Sequence, residues 1–303
     1  MKPNQLLAFV AVVEQMSIRG AARAIGISQP AVTKIVRELE RELGAALVER
    51  SVKGVRLTPC GEAFAPRARL LLADMRRARD EIVQIRDGAT GHVSAGLSTS
   101  VALTVMPAAY KAFHARCPSV DVHFSESVLA RMLLRLRDGQ LDLVFAHAMP
   151  GMLGPEFEAV DLFPVKLAVG ARVGHPLADS ASLRELLAAE WVAPGNGETD
   201  RATVEALFSG FGLNPPPRMM LGESITMALG LVGQTDLVGL FVEPLVERSF
   251  EHHGIRRVDV QEELPTLQVC VIKLRDHRLT PAAQQLVECV ELAASAARSA
   301  AQA

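Results

Sequence analysis

The sequence predicts an α+β chain in three parts: a small helical unit carrying a short β-hairpin, one long helix, and a two-lobed α/β body. Three observations predict it. Residues 17–43 read as two helices joined by a tight turn. Apolar residues recur with a 3.5-residue period from Phe64 to Ile85. From residue 92 onward, short apolar runs alternate with helical stretches.

The first helix covers residues 4–15, capped by Asn4, with Leu6, Phe9, Val10 and Val13 inward. In the next, Ser17 is the N-cap, Ala21, Ala22 and Ile25 make an inward face of modest size, and Gly26 takes the stop position. Ser28 caps a third helix whose first turn holds Pro30, where a missing N–H is tolerated. Val32, Ile35, Val36, Leu39 and Leu43 recur at three- and four-residue steps and face inward. Pro30, Thr33, Lys34 and Arg37 fall on the opposite side, with Gln29 at the exposed end. An amide, a hydroxyl and two cations at a helix N-terminus are the groups that read and grip a DNA major groove. Residues 47–58 alternate as a hairpin with Val52-Lys53-Gly54 at its tip, so Arg50, Lys53 and Arg56 lie along it as phosphate or minor-groove contacts. The competing reading is a helical pair and a charged hairpin in solvent. The short turn, the paired caps and the polar-cationic leading face favour recognition.

The stretch Ala21-Ala22-(six residues)-Gln29-Pro30-Ala31-Val32-Thr33-Lys34, followed by Leu39-Glu40-(two residues)-Leu43-Gly44, resembles the winged helix-turn-helix of LysR-type transcriptional regulators. The run Arg50-(three residues)-Gly54-Val55-Arg56-Leu57-Thr58 with Gly61 continues the resemblance. Val48-Glu49 stands where the family usually has Leu-Phe, and Cys60 where it usually has Ala. Both are expected to disturb the packing of the wing slightly.

Residues 59–87 read as one helix, capped by Thr58, with Pro59 in first position and Pro66 bending the early turns. Phe64, Ala68, Leu71, Met75, Ala78, Ile82 and Ile85 step by 4, 3, 4, 3, 4, 3, a heptad seam with charges on the other faces. A helix lying on its own core can show the same stripe, but the strict period favours pairing with a second copy. The family arrangement implies the same. Two recognition helices held about 34 Å apart would then read two half-sites.

Asp87-Gly88-Ala89-Thr90-Gly91 reads as the hinge to the body, where strands near 92–97, 120–125, 141–146, 165–170, 190–193, 217–221, 236–241 and 267–273 alternate with helices. The helices fall near 101–116, 128–138, 182–189, 200–210, 224–232, 244–251 and 280–295. This pattern predicts a mainly parallel sheet with crossover helices. Phe163-Pro164 and Leu264-Pro265-Thr266 mark two crossings between lobes. The expected domains are 1–58 (winged helix-turn-helix), 59–90 (linker and dimerisation helix) and 91–303 (regulatory body). Lobe I combines 91–163 with 267–295, and lobe II is 164–266. A double connection between two α/β lobes resembles a periplasmic binding protein, the fold of the LysR-type effector domain, and Gly174-His175-Pro176-Leu177-Ala178 also matches the family.

In open α/β folds, ligands sit beyond the carboxyl ends of strands, near helix N-termini. Ser98, Thr99 and Ser100, then Asn196, Thr199 and Asp200, then Glu223 and Ser224 occupy such turns, and His147 ends a strand on the same side. They correspond by position to the family's interlobe effector pocket. Each has an ordinary alternative as a helix cap, or for His147 as a satisfied core or surface histidine. The hydroxyls and helix N-termini suggest a small organic, anionic effector. Gly96-Leu97-Ser98-Thr99-Ser100 also resembles a nucleophile elbow, but Ser replaces the last Gly and no His or acid is placed to complete a triad, so no catalytic residue is expected.

Composition bounds these readings. With 49% hydrophobic and 22% charged residues the chain is globular, and no apolar run reaches membrane-spanning length. Asn4 and Gln5 stand where a signal peptide would carry a basic start, so a cytoplasmic, nucleoid-associated protein is expected. Net charge is −2, but residues 1–88 hold 15 Lys/Arg against 10 Asp/Glu (+5) and the remainder 17 against 24 (−7). A basic front on an acidic body fits a nucleic-acid reader joined to something else. Cys60, Cys117, Cys270 and Cys289 form no C-x-x-C pair, so free thiols, no metal and no cofactor are expected. The expected partners are double-stranded DNA and a second copy of the chain. The family's habit extends this to a tetramer, with RNA polymerase a candidate contact and no membrane.

Overall fold

The computed structural model describes residues 1–51, 54–88, 90–148, 153–195 and 198–302. The N-terminal unit packs α1 (Pro3–Gln15), α2 (Ile18–Ile25) and α3 (Gln29–Leu43) against a hairpin of β1 (Val48–Ser51) and β2 (Gly54–Leu57). The caps act as the residue types require. Ser17 Oγ accepts from Gly20 N–H at 3.1 Å and Ser28 Oγ from Ala31 N–H at 3.3 Å, while Gly26 and Gly44 close their helices with positive φ. Two expectations fail here. Helix α1 begins at Pro3 after Lys2, whose N–H bonds the Gln5 side chain, so Asn4 lies inside the first turn. Leu43 is exposed, because the last turn of α3 runs past the three-helix core. Val48-Glu49 and Cys60 do little harm. Val48 packs at the core edge, while Glu49 and Cys60 face solvent.

Helix α4 (Pro59–Asp87) is unbroken through Pro66. Its apolar seam divides. The Phe64 ring packs tilted against that of Phe9, centroids 5.4 Å apart, and Ala68 is fully buried, so the first two positions complete the chain's own N-terminal core. Leu71, Met75, Ala78, Ile82 and Ile85 stay exposed, the last two at 65% and 70%.

Another face of α4 is docked on the body. A Cβ built on Gly139 would lie 2.8 Å from Ala73 Cβ, so only glycine allows this approach. Asp142, 7% exposed, accepts from Arg76 Nη2 and Arg77 Nη1, each at 3.2 Å, and from Ser94 N–H at 2.8 Å. Arg77 also donates to Asp74 at 2.7 Å, with His277 Nδ1 at 3.2 Å. At the end of the helix, Gln84 donates to Thr90 O and accepts from Ala282 N–H, tying the hinge to the final helix.

The body holds β3 (Thr90–Leu97), α5 (Thr99–Thr104), α6 (Met106–Arg116), β4 (Ser119–Glu126), α7 (Leu129–Arg137) and β5 (Leu143–Ala148). After β6 (Phe157–Arg172) come α8 (Leu183–Leu186), β7 (Glu190–Pro194), α9 (Glu198–Gly210), β8 (Met219–Gly222), α10 (Ile225–Gln234) and β9 (Leu237–Val242). The chain ends with α11 (Glu243–Leu245), β10 (Ile255–Val258), β11 (Thr266–Leu274) and α12 (Pro281–Gln302). Strand order is β4-β3-β5-β11-β6-β9-β7-β8, with β10 also on β6.

The sheet is mixed, not mainly parallel. Strands β3, β4 and β5 and strands β7, β8 and β9 run parallel within their lobes, but β6 and β11, which carry the chain between lobes, run antiparallel to their neighbours. Strand β6 passes through the expected crossing at Phe163-Pro164 without a break, and starts eight residues before the 165 expected. Pro164 pairs with Gln268 of β11 on one side, while the ladder to β9 begins only at Leu167, so its missing N–H breaks no bond there. Helix 101–116 divides at Val105, α8 is shorter than 182–189, 244–251 is a short α-turn followed by π and 3-10 turns, and β10 was not foreseen. One core lies on each face of lobe I, around Phe113 and Leu286 and around Met132 and Leu141; lobe II closes over Trp191 and Phe208.

Asp142→Asn leaves two arginine side chains short of their counter-charge and is expected to lower the unfolding free energy by about 2–3 kcal/mol. Glu190→Gln, in the exposed pair with Arg218, is expected to change it by less than about 1 kcal/mol. Urea denaturation of both variants checks the difference.

Candidate nucleic-acid interface and interlobe cleft

Helix α3 buries Val32, Val36 and Leu39, and this turns Gln29, Pro30, Lys34 and Arg37 to solvent with Thr33 half-buried among them. These five residues line one shallow depression with Glu38 and Arg41. Lys34 and Glu38 approach at 4.0 Å across one helical turn, a contact weak enough to yield to a phosphate. Glu40, on the inner side, accepts from Leu47 N–H at 2.8 Å and Val48 N–H at 3.1 Å, fixing where the wing leaves the helix. A Cβ on Gly54 would lie 2.9 Å from Met16 O, and Val55 N–H bonds that same carbonyl, so the wing is held against the end of α1. Arg56 is exposed and stands opposite Glu49 in the β1–β2 backbone register, and Arg50 stands opposite Val55. Lys53 lies outside the described residues.

In the body, β3, β4 and β5 run parallel on lobe I, and β7 and β8 run parallel on lobe II. Ser98 stands at the N-cap of α5, but its hydroxyl does not cap; Oγ lies 3.3 Å from Ser100 Oγ. Ser100, buried, in turn lies 3.0 Å from His147 Nε2. Thr99 Oγ1 donates to Glu126, a residue the sequence did not single out. The structure thus brings Ser98, Thr99, Ser100 and His147 together on lobe I. Ser98 reaches His147 only through Ser100, so the serine at the elbow position has no direct contact with the imidazole. On lobe II, Ser224 Oγ accepts from Met227 N–H at 3.2 Å and is an ordinary cap of α10, while Glu223 beside it reaches across to lobe I. Thr199 and Asp200 fall in the first turn of α9, and Asn196 lies outside the described residues.

Burial lowers the His147 pKa to about 4, so the imidazole is neutral at pH 7 and meets Ser100 as a hydrogen-bonding group without charge. His175, in the run shared with the family, is a satisfied core histidine: Leu177 N–H donates to Nδ1, which leaves Nε2 to donate to Asp236 O. Burial and the Asp161 carboxylate push Cys270 up to about 12, and burial raises Cys117 and Cys289, so these thiols are unreactive. Among the described residues no helix is long and apolar enough to cross a membrane.

Sequence reasoning missed Glu126, Arg131 and Asp142. Nothing in the spacing of Arg131 along α7 shows that it meets a residue 92 positions away.

The depressed His147 pKa has a consequence for stability. Between pH 6.5 and about 4 the unfolded chain binds a proton that the folded chain refuses, so stability falls as pH drops through that window. The expected loss from His147 is about 2 kcal/mol at pH 5 relative to pH 8. His147→Gln is expected to remove that share, measured by urea denaturation at both pH values.

A family profile described as bacterial regulatory helix-turn-helix protein, lysR family, matches residues 3–62, and one described as LysR substrate binding domain matches residues 86–294. The chain is 27% identical over 290 residues to the HTH-type transcriptional regulator TdcA of Escherichia coli K12, covering 95% of this chain and 91% of that protein. It is 37% identical over 188 residues to a probable hydrogen peroxide-inducible genes activator of Streptomyces viridosporus, covering 60% of this chain and 59% of that protein. Its fold is similar to the crystal structure of CbnR, a LysR family transcriptional regulator, with a TM-score of 0.72 at 23% identity over 97% of this chain and 99% of that one. CbnR solved with its target DNA superposes with a TM-score of 0.70 at 23% identity, over 97% of this chain and 100% of that one. With the helix-turn-helix profile on the unit that exposes Gln29 to Arg37 and the second profile spanning more than two-thirds of the residues, the chain belongs to the LysR family of bacterial transcriptional regulators.

Proposed function

We propose that this protein binds double-stranded DNA at paired sites and that a small organic anion between the two lobes of its body controls how the pair is presented. The single observation that carries the reading is the outward face of α3. Gln29, Pro30, Thr33, Lys34 and Arg37 stand together, free of the core, at the N-terminal end of a helix held by a capped turn. The geometry suits a major groove, with Gln29 and Thr33 reading base edges and Lys34 and Arg37 gripping phosphates or guanine. Arg50, Lys53 and Arg56 hold the backbone from the wing.

One copy of such a module binds weakly. The exposed stripe Leu71, Met75, Ala78, Ile82 and Ile85 is the surface expected to pair with a second copy, with body–body contacts extending the dimer to a tetramer. In the cleft, Ser98, Thr99, Ser100, His147, Asn196, Thr199, Asp200, Glu223 and Ser224 make the candidate lining. The hydroxyls and helix N-termini are the groups that support an anionic effector, and the description of the matched body profile supports a small-molecule role. The body works as a sensor and not as a catalyst. An effector acts only if it prefers one arrangement of the lobes over the other. The protein works in the cytoplasm at the nucleoid, with RNA polymerase as a further contact.

Sequencing genomic DNA retained by the full-length protein tests the reading: enrichment of a few sites with two-fold symmetric halves is expected, and uniform recovery would overturn it. At such a site, Thr33→Ala is expected to relax base preference at one position by about 1–2 kcal/mol. Arg56→Ala is expected to weaken all sequences alike and reduce the salt slope by about one unit. Ile82→Glu with Ile85→Glu is expected to give monomers by light scattering and to abolish paired-site binding.

A further inference from the structure

The side chains gathered on lobe I are hydroxyls, an uncharged imidazole and the Glu126 carboxylate that accepts from Thr99. They orient a ligand but do not neutralise one. A cation that bridges the two lobes is Arg131, in the first turn of α7 on lobe I, and it is already engaged. Its Nη2 stands 3.0 Å from Glu223 Oε2 and 3.2 Å from Glu223 Oε1, so both carboxylate oxygens of a lobe II residue address one guanidinium nitrogen across the cleft. Glu223 follows β8 directly and precedes the cap of α10. The pair therefore joins the start of α7 on lobe I to the turn after β8 on lobe II.

We propose that Arg131 is the anchor for the anionic group of the cleft ligand, and that Glu223 is a resident competitor holding Arg131 until the ligand's carboxylate replaces it. The proposal rests on the effector reading above and deepens it. Three features carry it. A guanidinium donates readily to carboxylates, so an incoming carboxylate can take the Nη2 contacts that the Glu223 carboxylate now fills. The Arg131 and Glu223 side chains are 60% and 37% exposed, and an ion pair that open to water is easily exchanged. The exchange changes what links the lobes: the direct bridge from α7 to the turn after β8 is lost, and a ligand held by Arg131 on one side and by lobe II backbone N–H groups on the other takes its place. Binding is thereby coupled to lobe arrangement through a difference in contacts between the two states, which is the requirement for a switch. Selectivity follows as well. An amide or alcohol of the same shape leaves Arg131 with Glu223, so charge and not shape decides whether the bridge opens.

The test uses full-length wild-type, Glu223→Gln, Arg131→Gln and Ser100→Ala proteins, first compared by circular dichroism. Each is titrated calorimetrically with acetate, butyrate and phenylacetate, and with the amide of each acid. Glu223→Gln is expected to bind at least one carboxylate about two- to five-fold more tightly than wild type, because the competing carboxylate is gone. It is expected to prefer that acid over its amide by about ten-fold or more. Arg131→Gln is expected to lose this preference. Absence of any acid-over-amide preference in Glu223→Gln overturns the proposal, as does weaker binding than wild type or a preference that survives in Arg131→Gln. If Ser100→Ala weakens binding and Arg131→Gln does not, the cleft reading stands and the anchor is wrong. If neither does, the ligand lies outside the cleft and both readings fall.

Discussion

The carboxylate of Asp142 stands where the long helix, the first body strand and the strand leading to the cleft come together. It accepts from Arg76 and Arg77 of α4 and from the Ser94 amide of β3, at 7% exposure, where an unpaired charge would be costly. One residue later β5 begins, and it ends beside His147. A rigid strand of six residues therefore separates the contact that holds the linker helix from the contact that would feel a ligand. The Gly139–Ala73 approach and the Gln84 bonds to Thr90 and Ala282 fix the same helix at two further points, so α4 moves with lobe I.

This attachment decides how the two ends of the protein are related. The N-terminal unit is bound to α4 through Phe9, Phe64 and Ala68, and lobe I is bound to α4 through the arginines. Lobe II is joined to lobe I by β6 and β11 and by Arg131 and Glu223. The second junction is held by two strands, by α11 against α5, by Val242 and Leu267 packed against both cores and by an exposed ion pair.

Much of the molecule was legible in the sequence because its physics is local. Ser17, Ser28 and Thr58 cap the helices they precede, Gly26 and Gly44 end them, and the three-to-four-residue spacing in α3 orients its polar face without help from distant residues. The Asn4 cap failed on an equally local point, since Pro3 takes the first helical position. The heptad stripe was correct as a pattern and divided in use, because periodicity does not distinguish a partner helix from the chain's own core. Phe64 and Ala68 went to α1, and Leu71 to Ile85 were left outside.

What the sequence by itself determined is the DNA-reading unit, the long helix and the two-lobed body, since capping, turn chemistry and hydrophobic period act over a few residues. Tertiary structure alone decided the rest. It ran β6 through Pro164 because the neighbouring ladder on that side starts three residues later. It set β6 and β11 antiparallel because each carries the chain from one lobe to the other. It also paired Arg76 and Arg77 with Asp142 and Arg131 with Glu223. Those charges lie 65 to 92 residues apart and carry no spacing signal. Electrostatic partners are chosen by proximity after folding, whereas caps and periods are chosen before it.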